Sequence, residues 1–423
     1  MAELLRATER LSAPELEAHQ RARLGRLLAH ARATAPHYAN LPTDARDPER
    51  FREVPILTRE SLRDHADALV SSDTPAAHRV LHEANTSGST GKHVTVKIDA
   101  ISAAIGEALA LRDHRWHGRD LGRKAAGIRA IKSGARAPHG KHEPRWAPST
   151  GSGPLALLDV HTPVRDQLAW LEREAPSYLV TYPNNAAALI AEIEDQGTEL
   201  PDLLELGTLG EVLPAGLRES CRRVLGVPLV DAYSTVELGY LALQCPEHEH
   251  YHVQSEHVFV EILRDDGAPC AIGESGRVVA TALHAFAMPL IRYELGDYAT
   301  VGAPCPCGRG LPVLDRILGR ARNMLRLPDG DVLWPRYGTP VLGKLFPLRQ
   351  FRLLQTGLKS LVLEIVADRP LDSDEEQRLR SFVLETLGHP FSLEIAYRET
   401  IARSPGGKFE DFVCQIAGGY CSQ

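Results

Sequence analysis

The stretch SYLVTYPNNAAALIAEIEDQGTELPDLLELGTLG (177–210) decides the fold. Its ends, SYLVTY (177–182) and LLELGTLG (203–210), are short apolar runs of strand character. Between them NAAALIAEIEDQG (185–197) reads as a helix. The pattern continues on both sides. DQLAWLERE (166–174) looks helical, and PLVDAY (228–233), VFVEIL (258–263) and RVVATAL (277–283) look like strands. From about residue 80 to 300, β-rich runs alternate with helical stretches, which argues for an α/β sheet domain.

Toward the N-terminus, residues 13–35 place Leu16, Leu24, Leu27, Leu28 and Ala31 on one helical face, and Pro36 ends the pattern. FREVPILTRESLRDHADALV (51–70) reads as a turn and a helix capped near Thr58 or Ser61. Near residue 320 the pattern changes. FRLLQ (351–355), LVLEIVA (361–367) and FSLEIAY (391–397) read as strands. DSDEEQRLRSFVLETLG (372–388) reads as an amphipathic helix with a capping box at Ser373 and Glu376 and a stop at Gly388. The expected architecture is therefore a large N-terminal α/β domain (1–319) and a small C-terminal α+β domain (320–423).

The 48 basic and 55 acidic side chains leave a net charge of −7, so neither nucleic acid nor an anionic membrane surface is an expected partner. The N-terminus is charged throughout, with no signal-peptide core, and no apolar run reaches membrane-spanning length. A cytoplasmic protein is expected. Seven cysteines in a chain of this size do not suggest a disulfide scaffold.

NTSGSTGK (85–92) is the first segment that carries chemistry. Gly88 and Gly91 let the backbone bend so that consecutive N–H groups point at phosphate oxygens. Thr86, Ser87, Ser89 and Thr90 add hydroxyls and Lys92 adds charge. A formal P-loop look-alike, GARAPHGK (134–141), lacks the following Ser/Thr, contains Pro138 and leads into HEPRWAP rather than a helix. It reads as a solvated basic loop with Lys132, Arg136, His139, Lys141 and His142.

Further segments form an ordered set with that loop. TSGSTGK, LGE (209–211), AYSTVELG (232–239), YELGD (293–297), ILGR (317–320) and SPGGK (404–408) resemble the motifs of the acyl-CoA synthetase and adenylation-domain superfamily. The segments APHYANLP, VPILTRESLR, MPLIRYELGD and PCPCGRGLPVLDRILGR resemble its phenylacetate–CoA ligase branch. The resemblance implies ATP and Mg²⁺ as cofactors and an acyl-AMP intermediate. It implies that Ser87, Gly88, Ser89, Thr90, Gly91 and Lys92 hold the phosphates. Gly210 and Glu211 would lie on the adenine side, Tyr233 would stack on adenine beside Ser234, and Thr235 would touch the α-phosphate. Glu237 would bind Mg²⁺, a hard oxygen ligand for a hard cation. Asp297 would accept the ribose hydroxyls and Arg320 would reach the same region. Lys408, behind the pliable Gly406–Gly407 pair, would neutralise charge between the acid and the α-phosphate. Segments 181–187 and 208–213 are expected to line the acid pocket.

In the family, the small domain swings after adenylation so that a thiol is acylated. Here the hinge reads ARN (321–323), with Arg322 where relatives carry an acidic residue, and LPDGDVLWP (327–335) replaces a Gly/Asn-rich segment. Adenylation of a small acid, aromatic acids included, with transfer to a thiol such as coenzyme A is the leading expectation. A non-thiol acceptor stays open: amide formation, or nitrite activation for diazotisation of an aryl amine.

CPEHEHYH (245–252) and CPC (305–307) supply thiols and imidazoles on both sides of one predicted sheet region. Cys245, His252, Cys305 and Cys307 would make a closed Cys₃His site of the structural zinc type, with His250 as a competitor for His252. A zinc-stabilised binding protein without catalysis is the alternative from another class. Retention of Glu237, Asp297 and Lys408 together argues for the enzyme.

Overall fold

The computed structural model describes all residues except 1, 46, 86–93, 132–133, 148–149, 321–322, 331, 334, 336–341, 343–344, 405 and 417–423. Two compact units share the chain: residues 1–121, 147–151 and 232–318 in the first, and 122–146, 152–231 and 319–423 in the second.

The second unit contains the deciding stretch. Strand Tyr178–Thr181, helix Pro183–Gln196 and strand Glu205–Leu209 follow one another as the sequence predicts. Proline opens the helix, and Gly197 closes it in the left-handed region at φ 64°. The two strands pair in parallel, which is why a helical crossover separates them. Strands Ala125–Arg129 and Leu155–Asp159 extend the parallel set, and the short strand Lys141–Glu143 is antiparallel at its edge. Helices Val164–Glu174, Pro183–Gln196 and Leu217–Leu225 contribute Trp170, Leu171, Ile190, Ile193 and Leu217 to a core that also holds Ile128, Leu158 and Leu206.

The same unit holds a separate four-stranded sheet, in the order Ser392–Tyr397, Ser360–Ala367, Leu348–Gly357, Phe412–Cys414. Its two central strands are antiparallel and each outer strand is parallel to its neighbour. Helix Ser373–Leu387 closes a distinct core around Phe351, Leu363, Leu379 and Val383. Gly388 ends this helix as expected, at φ 64°, but the capping box lies one residue earlier than predicted. Asp372 has the extended backbone of a cap and accepts from Glu375 N–H, while Glu375 accepts from Asp372 N–H. Ser373 is already inside the first turn.

In the first unit, strands Val258–Leu263, Ser275–Ala282 and Tyr293–Val301 form an antiparallel run. Helix Ala13–Thr34 lays Leu24, Leu27, Leu28 and Ala31 against the core that these strands line. Thr58 caps helix Arg59–Asp64 by accepting from Ser61 N–H. Strands Val80–Asn85 and Thr95–Asp99 pair as an antiparallel hairpin. The Gly-rich segment that joins them lies outside the described residues, and with it Ser87, Gly88, Ser89, Thr90, Gly91 and Lys92. No helix among the described residues is long and apolar enough to cross a membrane.

Candidate active site and metal centre

Within the second unit, the segment around Lys408 is seated on the first turn of helix Pro183–Gln196 and on the turn after strand Glu205–Leu209. Tyr182 OH donates to Gly406 O (3.2 Å), and Asn184 Nδ2 donates to Phe409 O (3.2 Å). Glu211 accepts from Phe409 N–H through Oε1 (2.6 Å) and from Asn184 N–H through Oε2 (3.1 Å). Arg403 donates to Gly407 O and to Asn185 Oδ1, both at 3.2 Å, and lies over the Phe409 ring. Gly407 needs to be glycine on two counts. Its φ is 76°, and a Cβ there would lie 2.5 Å from Val160 Cγ1. Lys408 approaches Gly210 so closely that a Cβ at 210 would stand 3.6 Å from Lys408 Nζ. Burial pushes the Glu211 carboxyl up to about 7, opposed by its two backbone N–H donors and by Arg403 and Lys408.

The first unit holds the other predicted nucleotide residues. Asp297 lies on strand Tyr293–Val301 where the pairing register slips and Gly296 takes φ 74°. Such a bulge re-aims the side chain that follows it. Tyr233 OH donates to Asp297 Oδ2 (2.9 Å), and both residues are buried. Ser234 sits at a register shift of strand Leu229–Thr235. Thr235 Oγ1 accepts from Leu238 N–H, which tightens the turn that carries Glu237. Glu237 Oε1 accepts from Arg59 Nη1 (3.1 Å) and from Tyr293 OH (3.3 Å).

The metal-type cluster is also in the first unit. Cys245 follows strand Gly239–Gln244, His252 lies on the paired strand Tyr251–Val253, and Cys305 and Cys307 lie beyond strand Tyr293–Val301. The four candidate ligand atoms lie within 4.8 Å of one another. Cys245 Sγ and Cys305 Sγ are 3.8 Å apart, and Cys307 Sγ is 3.4 Å from His252 Nε2. Sulfurs about 2.3 Å from a tetrahedral centre stand roughly 3.8 Å apart, so the spacing fits zinc. His252 Nδ1 faces Leu311 O at 3.4 Å, which leaves Nε2 toward the thiols. Burial lowers the imidazole to about 4, keeping it neutral as a metal ligand must be. Trp116 packs edge-on against His252, and Arg309 covers Trp116. His250, the competitor, meets His252 edge-on but is not one of the four converging groups.

No family model matches the chain. It is similar to the phenylacetate–coenzyme A ligase of Escherichia coli K12, 29% identical over 336 residues that cover 75% of this chain and 74% of that one. The corresponding Thermus thermophilus ligase is 28% identical over 342 residues, covering 75% and 73%. The chain is similar to the phenylacetate–CoA ligase-like branch of the adenylate-forming superfamily. A crystal structure of 2-hydroxyisobutyryl-CoA ligase in its postadenylation state has the same fold: TM-score 0.77, 19% identity, 96% of this chain and 91% of that one.

The structure brings Gly210, Glu211 and Lys408 together in one unit, and Tyr233 and Asp297 together in the other. Arg320 ends strand Val313–Arg320, half-buried. Arg322 is outside the described residues. In the GARAPHGK segment, Lys141 begins a strand, and Arg136 and His142 pair with Asp159 and Glu174. Sequence reasoning missed Arg59 and Tyr293 as partners of Glu237, and Arg403 as a brace of the lysine segment. It placed 181–187 along the acid pocket without the contacts those residues make to the lysine segment. Two adjacent asparagines in a first helical turn, Asn184 and Asn185, are poor helix formers and signal a polar task.

Proposed function

We propose that this protein is an AMP-forming acid–thiol ligase that adenylates a small carboxylic acid with ATP and passes the acyl group to coenzyme A. One observation carries the reading. Lys408, expected from its motif to serve adenylation, lies against Gly210 and beside Glu211, about two hundred residues earlier in the chain. The relatives' names supply the reaction class: phenylacetate–coenzyme A ligases.

In this reading a carboxylate oxygen of the acid attacks the α-phosphorus. The bond to the bridging oxygen breaks and pyrophosphate leaves with its electron pair. Both reactants are anionic, so the Lys408 ammonium stabilises charge that grows in the transition state. Asp297, oriented by Tyr233, accepts the ribose hydroxyls. Mg²⁺ would be held by Glu237, a hard oxygen ligand whose carboxylate is oriented by Arg59 and Tyr293. In the second step the thiol sulfur attacks the acyl carbon, AMP leaves and the thiol proton passes to solvent. Zinc at Cys245, His252, Cys305 and Cys307 would fill a closed four-ligand site and take no part in either step. A boundary at 319/320, with residues 320–423 as a mobile lid, belongs to the same reading. It is supported by the separate core around Phe351 and Leu379.

The test is acid-dependent exchange of labelled pyrophosphate into ATP, followed by AMP release with and without coenzyme A. Lys408→Ala should abolish exchange while ATP binding survives. Normal exchange in that variant would defeat the assignment of the lysine. Acyl transfer that ignores coenzyme A and consumes an amine would move the acceptor to the alternative class.

A further inference from the structure

Glu211 holds two segments with one carboxylate. Oε2 accepts from Asn184 N–H in the first turn of helix Pro183–Gln196, where unpaired N–H groups and the helix dipole favour an anion. That bond anchors the side chain on a rigid element. Oε1 then points at the lysine segment and accepts from Phe409 N–H at 2.6 Å, the shortest of the bonds described for that segment. In its ionised form, which prevails above about pH 7, this carboxylate makes charge-assisted bonds to backbone N–H groups, the shorter and stronger kind.

The position of that N–H matters more than its strength. It belongs to the peptide plane that joins Lys408 to Phe409, and a peptide group is planar. Fixing the direction of the Phe409 N–H therefore fixes ψ of Lys408, and with it where the side chain leaves the backbone. Asn184 Nδ2 grips the next carbonyl, Phe409 O, at 3.2 Å. On the other side, Arg403 holds Gly407 O. Lys408 is thus aimed by contacts to the main chain around it.

We propose that Glu211 is a positioning residue for Lys408, a latch that accepts the Phe409 N–H to hold the lysine segment in its adenylation pose and must let go for the segment to leave. The inference rests on the reading of Lys408 as the adenylation lysine. It assigns Glu211 a task at the lysine rather than at the nucleotide. Gln at 211 presents an amide N–H₂ where one of the two oxygens now accepts, so one of the two bonds is lost with little change of shape.

Backbone hydrogen exchange by mass spectrometry on the purified full-length chain, without acid or nucleotide, reads the latch directly. In Glu211→Gln, peptides covering residues 406–411 should exchange roughly tenfold faster, the expected loss for one charge-assisted bond, with the melting curve unchanged. Glu211→Ala, which removes both acceptors, should speed the same peptides at least as much, and it covers the case in which Gln turns its amide oxygen to the Phe409 N–H. In pyrophosphate exchange, Glu211→Gln should lower kcat about tenfold and leave the KM for ATP within about twofold. Unchanged hydrogen exchange in both variants overturns the latch. So does a rise in KM for ATP with kcat intact, which would return Glu211 to the nucleotide. If Lys408→Ala keeps its activity while Glu211→Gln loosens residues 406–411, the latch stands and the lysine assignment falls.

Discussion

The lysine segment and the cysteine–histidine cluster are both made by distant parts of the chain, yet they are held in opposite ways. Around Lys408 the polar contacts described are single hydrogen bonds to main-chain atoms, with Arg403 over the Phe409 ring. A net hydrogen bond contributes only about 0.5–1.5 kcal/mol, or about 1.5–3 kcal/mol where one partner is charged. A seat of this kind is specific and still easy to leave. The cluster converges three thiols and one imidazole within 4.8 Å, three of the four residues buried. A metal there would close the site completely, and such a centre fixes loops rather than releasing them. On the proposed reading, the group that acts and then withdraws is held largely through main-chain atoms, and the one that stays is held by side-chain ligands.

The contrast can be broken experimentally. Lys408→Ala should lower pyrophosphate exchange by at least about a hundredfold, the scale of losing a charge-stabilising group. Next in size, the purified protein should carry about one zinc per chain by elemental analysis. Cys305→Ser should lose that zinc and melt several degrees lower. A stable, metal-free wild-type protein would remove the fixed half of the comparison. Gly407→Ala should reduce pyrophosphate exchange about tenfold with little change in melting, because the new methyl meets Val160 and φ 76° disfavours it. If Gly407→Ala instead lowers the melting point as much as Cys305→Ser, the lysine segment is not the loose partner.

The smallest effect concerns Asp411, at the end of the lysine segment, whose carboxyl burial raises to about 6 from an ordinary 3.8. A raised carboxyl favours the folded protein while neutral. Its contribution is complete below about pH 3.8 and disappears as pH climbs through 6. Asp411→Asn should therefore gain on the wild type in melting midpoint between pH 4 and 7.5. A difference that does not vary with pH would show that Asp411 is not held neutral.

Much of this was legible from residues alone. The strand–helix–strand reading of 177–210 survives because apolar runs, a helical period and Gly197 all agree. The cysteine cluster was readable because thiols are rare and their placement is distinctive. The cap of helix Ser373–Leu387 was misread by one residue. Asp372 and Ser373 are both good caps, and only the backbone angles choose between them. The seat of Lys408 was least legible, since Tyr182 and Asn184 meet residues 224 and 225 positions away. Periodicity reports local faces and says nothing of such pairings.

The bond from Phe409 to Glu211 has an evolutionary corollary. It is made by a main-chain N–H, a group that every amino acid but proline supplies. A different apolar side chain at 409 that still packs with Val366 and Ile401 would leave this contact in place, whereas proline would erase it. Sequence variation among apolar residues at that position would be a poor guide to the bond, whose own trace would be the exclusion of proline.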